Sequence, residues 1–183
     1  REGVTFDAGY AGNATCAPSR AAIMTGRYPT RFGFEFTPTP KGMGRILDLF
    51  YNDGTRPHEL LTDQKVSANQ LDFKDQGVPG SEIMIGELLA PRGYHSMHIG
   101  KWHLGNAAAF LPRAQGFTET VMMESGLYMR EDDPQVVNAK LSFDPIDQFL
   151  WARMQYATSY NGGAVFEPKG YLTDFYSDEA VKA

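Results

Sequence analysis

Residues 81–105 read SEIMIGELLAPRGYHSMHIGKWHLG. Ser81 is a good N-cap, and Ile83, Met84, Leu88 and Leu89 mark the buried face of a helix that runs from it through Leu89. Pro91 and Gly93 stop that helix. Tyr94 to Ile99 then reads as a strand, and a helix feeding a strand at this spacing predicts an α/β layered fold. Past the strand, extended backbone puts Lys101 and His103 on one side and Trp102 on the other. A cation and an imidazole side by side suit a dianionic ester, with Trp102 packed into the core. Gly100 and Gly105 let the chain turn sharply out of the strand.

Upstream, Ala14-Thr15-Cys16-Ala17-Pro18-Ser19-Arg20-Ala21-Ala22-Ile23-Met24-Thr25-Gly26 carries a second set of chemical groups. Pro18 to Met24 predicts a short helix, because proline is favoured in a first helical turn. Gly26 suits its end. Cys16 then lies at the mouth of the helix, where unpaired N–H groups and the positive end of the dipole favour an anion. Arg20 follows one turn later and can return to the same mouth. A nucleophile, an anion site and a fixed cation within one turn suit attack on a phosphate or sulfate ester. A cysteine-dependent phosphatase does not fit, since its loop needs Arg six positions after Cys and Ala22 stands there. A small buried thiol is the plain alternative.

The rest of the 183 residues frames these two segments. Hydrophobic residues make up 42% and charged residues 21%, which is close to the globular average and excludes collagen-like, coiled-coil and disordered classes. The net charge is −5 and no Lys/Arg run offsets it, so a nucleic-acid backbone is not an expected partner. Apolar runs such as Ile83 to Ile85 fall far short of a membrane span. Cys16 is the single cysteine, so no intrachain disulfide forms. Val4 to Tyr10 reads as a strand, Tyr28 to Gly44 as a long loop, and Arg45 to Tyr51 as a brief helix. No element is expected from Ser125 to Lys169. Tyr171 to Ala183 reads as a turn entering a helix, with Asp178 and Glu179 in its first turn.

The Cys16 segment resembles the type I sulfatase signature, whose Cys-x-Pro-x-Arg core is matched by Cys16, Pro18 and Arg20. Ala21 through Gly26, Tyr28-Pro29 and Phe32-Gly33 continue the likeness. The run Gly100-Lys101-Trp102-His103-Leu104-Gly105, with Gly93-Tyr94 before it, is similar to the second signature of that family. Leu111 to Phe117 and Tyr171 to Val181 add a weaker likeness, while residues 34–80 and 125–169 carry little of it.

That resemblance implies an alkaline-phosphatase-like α/β/α sandwich and a hydrolase of sulfate esters, on an aryl group or a carbohydrate. It implies that Cys16 is converted to formylglycine by a formylglycine-generating enzyme and hydrated to a gem-diol on a divalent metal, calcium before magnesium. One hydroxyl would attack sulfur, and the second would lose its proton as sulfate leaves. Arg20 would hold the diol in its reactive form, Lys101 would bind a sulfate oxygen, and His103 would help remove the proton. Members are commonly exported, although the chain shows no signal-peptide pattern.

The family's paired acidic metal ligands are not visible. Asp132-Asp133 lies in a polar stretch far downstream, and Asp7 stands alone near Cys16. The Cys16-derived oxygen is therefore the one metal ligand expected from this chain. Residues 1–183 accordingly read as part of a sulfatase N-terminal catalytic domain, cut at both ends and inactive alone, without the first-strand ligands or the C-terminal half. The plainer readings apply to the remaining features. His95 and His98 fall in a strand at positions the signature leaves free, and His58-Glu59 lacks a zinc-protease partner. Gly42-Met43-Gly44 is no phosphate loop, and Asn13-Ala14-Thr15 is discounted as a glycan site beside Cys16. Phe32, Phe34 and Phe36 alternate and either line a cleft or pack a loop. Two rivals remain: a phosphonate or phosphate ester hydrolase of the same superfamily, and a non-catalytic homologue or fragment.

Overall fold

The structure is a computed structural model that describes residues 2–52, 54–55, 57–61, 68–124, 133–134, 136 and 156–183. Helix α1 (Cys16–Thr25) begins two residues earlier than Pro18, so the proline falls inside the first turn. Thr15 before it is extended, and Gly26 after it is left-handed, with its N–H donating to the Ala22 carbonyl at 2.9 Å. Ala17, Pro18 and Ala21 form the buried face. Helix α2 spans Met43–Tyr51.

Helix α3 is Ile85–Leu89, three residues shorter at its start than the Ser81 cap predicts. Residues 79–82 form a turn instead, closed by Glu82 N–H on the Pro79 carbonyl at 2.9 Å. Glu87 caps α3 from within, its carboxylate accepting the Met84 N–H at 2.9 Å. This shift changes the buried face. Met84 is buried, whereas Ile83 and Leu88 are exposed. Gly86 packs flat against the Gln115 carbonyl, where a side chain has no room.

Among the described residues, three strands form one sheet in the order β1-β2-β3. Strand β1 (Met97–Gly100) pairs in parallel with β2 (Glu119–Met123), Ile99 opposite Val121. The connection between them runs through short 3₁₀ turns, Ala108–Phe110 and Pro112–Gln115. Strand β3 (Thr158–Tyr160) pairs antiparallel with β2 in a stretch where no element is expected. Its polar residues hide it from a hydropathy reading. Thr158 and Ser159 are fully buried, and their hydroxyls bond Tyr176 and Glu124. Helix α4 (Leu172–Lys182) lies against β1. It starts with Asp174 in its first turn, so Asp178 and Glu179 sit further along than the sequence reading has them.

The expected strand at Val4 to Tyr10 does not form. Val4, Phe6 and Tyr10 are 82%, 83% and 92% exposed, and among the described residues no neighbouring strand pairs with their backbone. The core joins α1 to the segment after β1: Ala17 and Ala21 meet Phe34, Val78, Met84, Trp102 and Leu104. No helix among the described residues is long and apolar enough to cross a membrane.

Candidate active site

Cys16 is exposed at the first turn of α1. The loop leading to it is tied down locally. Asn13 Oδ1 accepts the Thr15 N–H at 3.1 Å, and Ser19 Oγ donates to the Asn13 carbonyl at 2.6 Å. The thiol lies 3.8 Å from the Thr37 hydroxyl. Burial pushes the thiol pKa up, but the Thr37 hydroxyl, the Lys101 charge and the N–H groups of Ala17 and Cys16 together bring it below the usual value.

Arg20 reaches across the fold. Its Nη1 donates to the Lys101 backbone carbonyl at 2.7 Å, joining residues 81 positions apart. This bond connects the two motifs directly. Trp102 fixes the second one: it is 3% exposed, and its Nε1–H donates to the Phe110 carbonyl at 2.7 Å. Leu104 is fully buried, and its carbonyl accepts the Val78 N–H at 3.0 Å. The extended run expected from Lys101 to His103 breaks at His103, which has a left-handed φ of 64°. Gly105 follows with φ 131°, and a Cβ there would lie 2.5 Å from Phe110. Lys101 and His103 are half-buried while Trp102 is turned inward, so the split between site and core holds despite the bent backbone.

The electrostatics of the site are one-sided. Among the described residues, no carboxylate forms an ion pair with Arg20 or Lys101. Burial lowers the His103 pKa to about 4, and the Lys101 and Arg20 charges push the same way. His98 also falls to about 4, mainly by burial. A hydrogen bond to the Lys101 carbonyl opposes that shift, and Arg20 adds to it. Both imidazoles are therefore neutral at pH 7. Among the described residues, three buried nitrogens lack a partner: Arg20 Nε, His98 Nδ1 and His103 Nδ1. Two cations without counter-charge and unpaired nitrogens beside them favour an anion.

Cys16, Arg20, Lys101 and His103 thus share one site. Metal donors do not gather there: among the described residues, no three His, Cys, Asp or Glu side chains converge. Asp132 lies outside the described residues. Asp133 lines a separate hollow with Tyr156 and Glu167. Sequence reading missed two participants. Thr37 touches the thiol from a Thr-Pro repeat that carries no chemical signal. His98 reads as an ordinary strand histidine, yet it packs edge-on to Trp102 with ring centres 5.0 Å apart and sits beneath Lys101.

Comparison with known proteins bears on the family and the fold. The chain is 36% identical over 118 residues to N-acetylgalactosamine-6-sulfatase of Homo sapiens, covering 64% of this chain and 18% of that protein. It is 34% identical over 122 residues to an arylsulfatase of Hemicentrotus pulcherrimus, covering 63% of this chain and 17% of that one. The uncharacterized sulfatase YdeN of Escherichia coli (strain K12) matches 98% of the chain at 29% identity, over 26% of its own length. The chain therefore spans about a fifth of the length of these curated relatives. Among solved structures, Ps i-CgsB superposes with a TM-score of 0.60 at 23% identity, over 94% of this chain and 31% of that one. Its complex with k-i-k-neocarrahexaose gives 0.57 at 26% identity, with the same coverage. The fold is the alkaline-phosphatase-like α/β fold of those neighbours. A family model described as Sulfatase matches residues 1–182, and the chain belongs to the sulfatase family.

Proposed function

We propose that the full-length protein hydrolyses sulfate monoesters at Cys16, on an aryl or carbohydrate alcohol. The observation that carries this reading is the Arg20–Lys101 bond, which sets two unneutralised cations beside an exposed residue at a helix start. Lys101 binds a non-bridging sulfate oxygen. Arg20 holds the Lys101 backbone and keeps positive potential at the helix mouth, where negative charge develops in the transition state. His103, neutral and with a free Nδ1, accepts a proton during release of sulfate.

Formylglycine made from Cys16 fits the site. The side chain is exposed, and the unpartnered Arg20 Nε and His103 Nδ1 are available to polar oxygens. Once formed, it supplies an oxygen nucleophile in place of sulfur. The partner that makes it is a formylglycine-generating enzyme. A divalent metal, calcium before magnesium, belongs to the same reading. The described residues do not assemble its donor set, so no step is routed through it. In this reading residues 1–183 form part of the N-terminal catalytic domain, and the remaining donors come from elsewhere in the polypeptide.

The test uses full-length protein co-expressed with the maturing enzyme. Intact mass should show Cys16 losing sulfur and two hydrogens and gaining oxygen. Turnover of 4-nitrophenyl sulfate should exceed that of an aryl phosphonate. A preference for the phosphonate would move the protein to the ester-hydrolase rival, and an unmodified thiol with no turnover would favour a non-catalytic homologue.

A further inference from the structure

A cleft of about 570 Å³ opens beside Cys16, between residues 33–39 and residues 70–77. Thr37 belongs to both places, since it lines the cleft and lies 3.8 Å from the thiol. The walls are built rather than loosely collapsed. Gln76 clamps Thr39 twice, accepting its N–H at 3.0 Å and donating to its carbonyl at 2.9 Å. Gln70 donates to the same carbonyl at 2.7 Å and to the Thr39 hydroxyl at 3.0 Å. An ion pair between Lys41 and Asp72, 2.8 Å long, ties the same two segments further.

The lining chemistry is specific. Phe34 is buried and forms a floor, whereas Phe36 is 82% exposed and presents a free aromatic surface to the cleft. Leu71 is a second exposed apolar side chain there. The charged residues of the lining are Glu35 and Asp75, both acidic. An aromatic surface receives the apolar face of a ring. Two carboxylates accept hydroxyl hydrogen bonds and repel a second anionic group.

We propose that this cleft seats the leaving alcohol of the ester, and that it selects an uncharged ring alcohol carrying one sulfate over a ring bearing a carboxylate or a second sulfate. The proposal rests on the sulfatase reading above and adds the substrate class. The sulfate occupies the Arg20–Lys101 side, and the ring lies past Thr37 against Phe36, its hydroxyls toward Glu35 and Asp75.

The experiment uses matured full-length protein with three substrates: 4-nitrophenyl sulfate, a neutral pyranoside monosulfate, and a sulfated pyranoside with a ring carboxylate. The neutral pair should be favoured in kcat/KM by about tenfold or more. Phe36→Ala should raise KM for both neutral substrates about fivefold and leave kcat within about twofold, since its side chain is exposed and folding does not depend on it. The E35Q/D75N double variant should narrow the discrimination against the anionic substrate about tenfold. Binding of 4-nitrophenol and of a methyl pyranoside, followed by ligand-observed NMR, gives a readout free of turnover and should weaken in Phe36→Ala. Turnover with unchanged KM and unchanged discrimination in these variants overturns the subsite. Ring binding lost in Phe36→Ala, without turnover of any sulfate ester by the parent, keeps the subsite and sinks the sulfatase reading.

Discussion

The Cys16 arm and the Lys101 arm reach the same point by different means. Cys16 is presented mainly by local backbone: an Asn13–Thr15 turn, a helix start and a Ser19 back-bond, with the side chain left exposed. Lys101 is presented by tertiary structure. It follows β1, and it is pinned by Arg20 from another element and by the buried Trp102 next to it. If Cys16 is the nucleophile of the proposed function, an exposed, locally defined segment leaves it open to modification by a second enzyme. In the proposed role, Lys101 must stay fixed against the charge it attracts, and burial of its neighbours would do that.

The largest expected effect separates chemistry from frame. Cys16→Ala in the matured full-length protein should reduce sulfate ester turnover by about a thousandfold or more, with little change in thermal midpoint because the side chain is exposed. Lys101→Ala should cost about a hundredfold through loss of an anion contact. Steady-state kinetics beside a melting curve check both. Normal turnover in C16A would break the assignment of the nucleophile.

The next effect belongs to the frame. Trp102→Ala empties a buried site and leaves the Phe110 carbonyl without its donor, at about 3–5 kcal/mol in stability. Chemical denaturation measures it. Turnover should fall as well, because Lys101 loses the anchor beside it. A stable Trp102→Ala variant with full activity would show that the second arm needs no tertiary anchor.

This contrast also explains what was legible in the sequence. Whereas Arg20's partner, the Lys101 carbonyl 81 positions away, lies beyond local rules, the Cys16 helix and its glycine stop follow from rules acting within one turn, and α1 appears within two residues of its expected start. The strand before Lys101 was legible for the same reason. The left-handed backbone at His103 was not, because it falls between the buried Trp102 and Leu104 in a turn that no local rule for histidine specifies. The start of α3 was misplaced because Ser81's capping propensity yields to a turn at 79–82, whose Glu82 carboxylate is bound by Arg27. Strand β3 was invisible because buried hydroxyls, not apolar side chains, fill its inward positions. The roles of Cys16, Arg20, Lys101 and His103 came from the family resemblance. The cleft beside Thr37 requires side chains from residues 33–39 and 70–77, a pairing no local rule supplies.

A bolt between the arms gives the third effect. Arg27, just past the end of α1, bonds both oxygens of Glu82 at 2.6 Å, and the Glu82 side chain is only 7% exposed. Arg27→Ala leaves that carboxylate buried and unpaired, which should cost about 2–3 kcal/mol, below the full buried-pair range because Arg27 itself is partly solvated. The R27M/E82M double variant should recover most of the loss, as measured by denaturant midpoint. No recovery would mean that the pair does more than neutralise its own charge.

The smallest effect is a pH dependence confined to the Lys101 arm. His98 is held neutral by burial, with its pKa lowered from 6.5 to about 4. Between those values the unfolded chain binds a proton that the folded chain refuses, so stability is intact above about pH 6.5 and declines as pH falls toward 4. From pH 7.5 to 5.5 the share owed to His98 is about 1 kcal/mol. Replacing His98 by Gln removes the titrating group, so the parent should lose about 1 kcal/mol more than H98Q over that interval. The difference between the two proteins isolates His98 from His103, which shifts in the same direction. The Cys16 arm holds no such group, and a Thr37→Val variant should keep the parent's slope. Equal slopes in the parent and H98Q would mean that His98 binds its proton equally well in the folded and unfolded chain, so that burial does not lower its pKa.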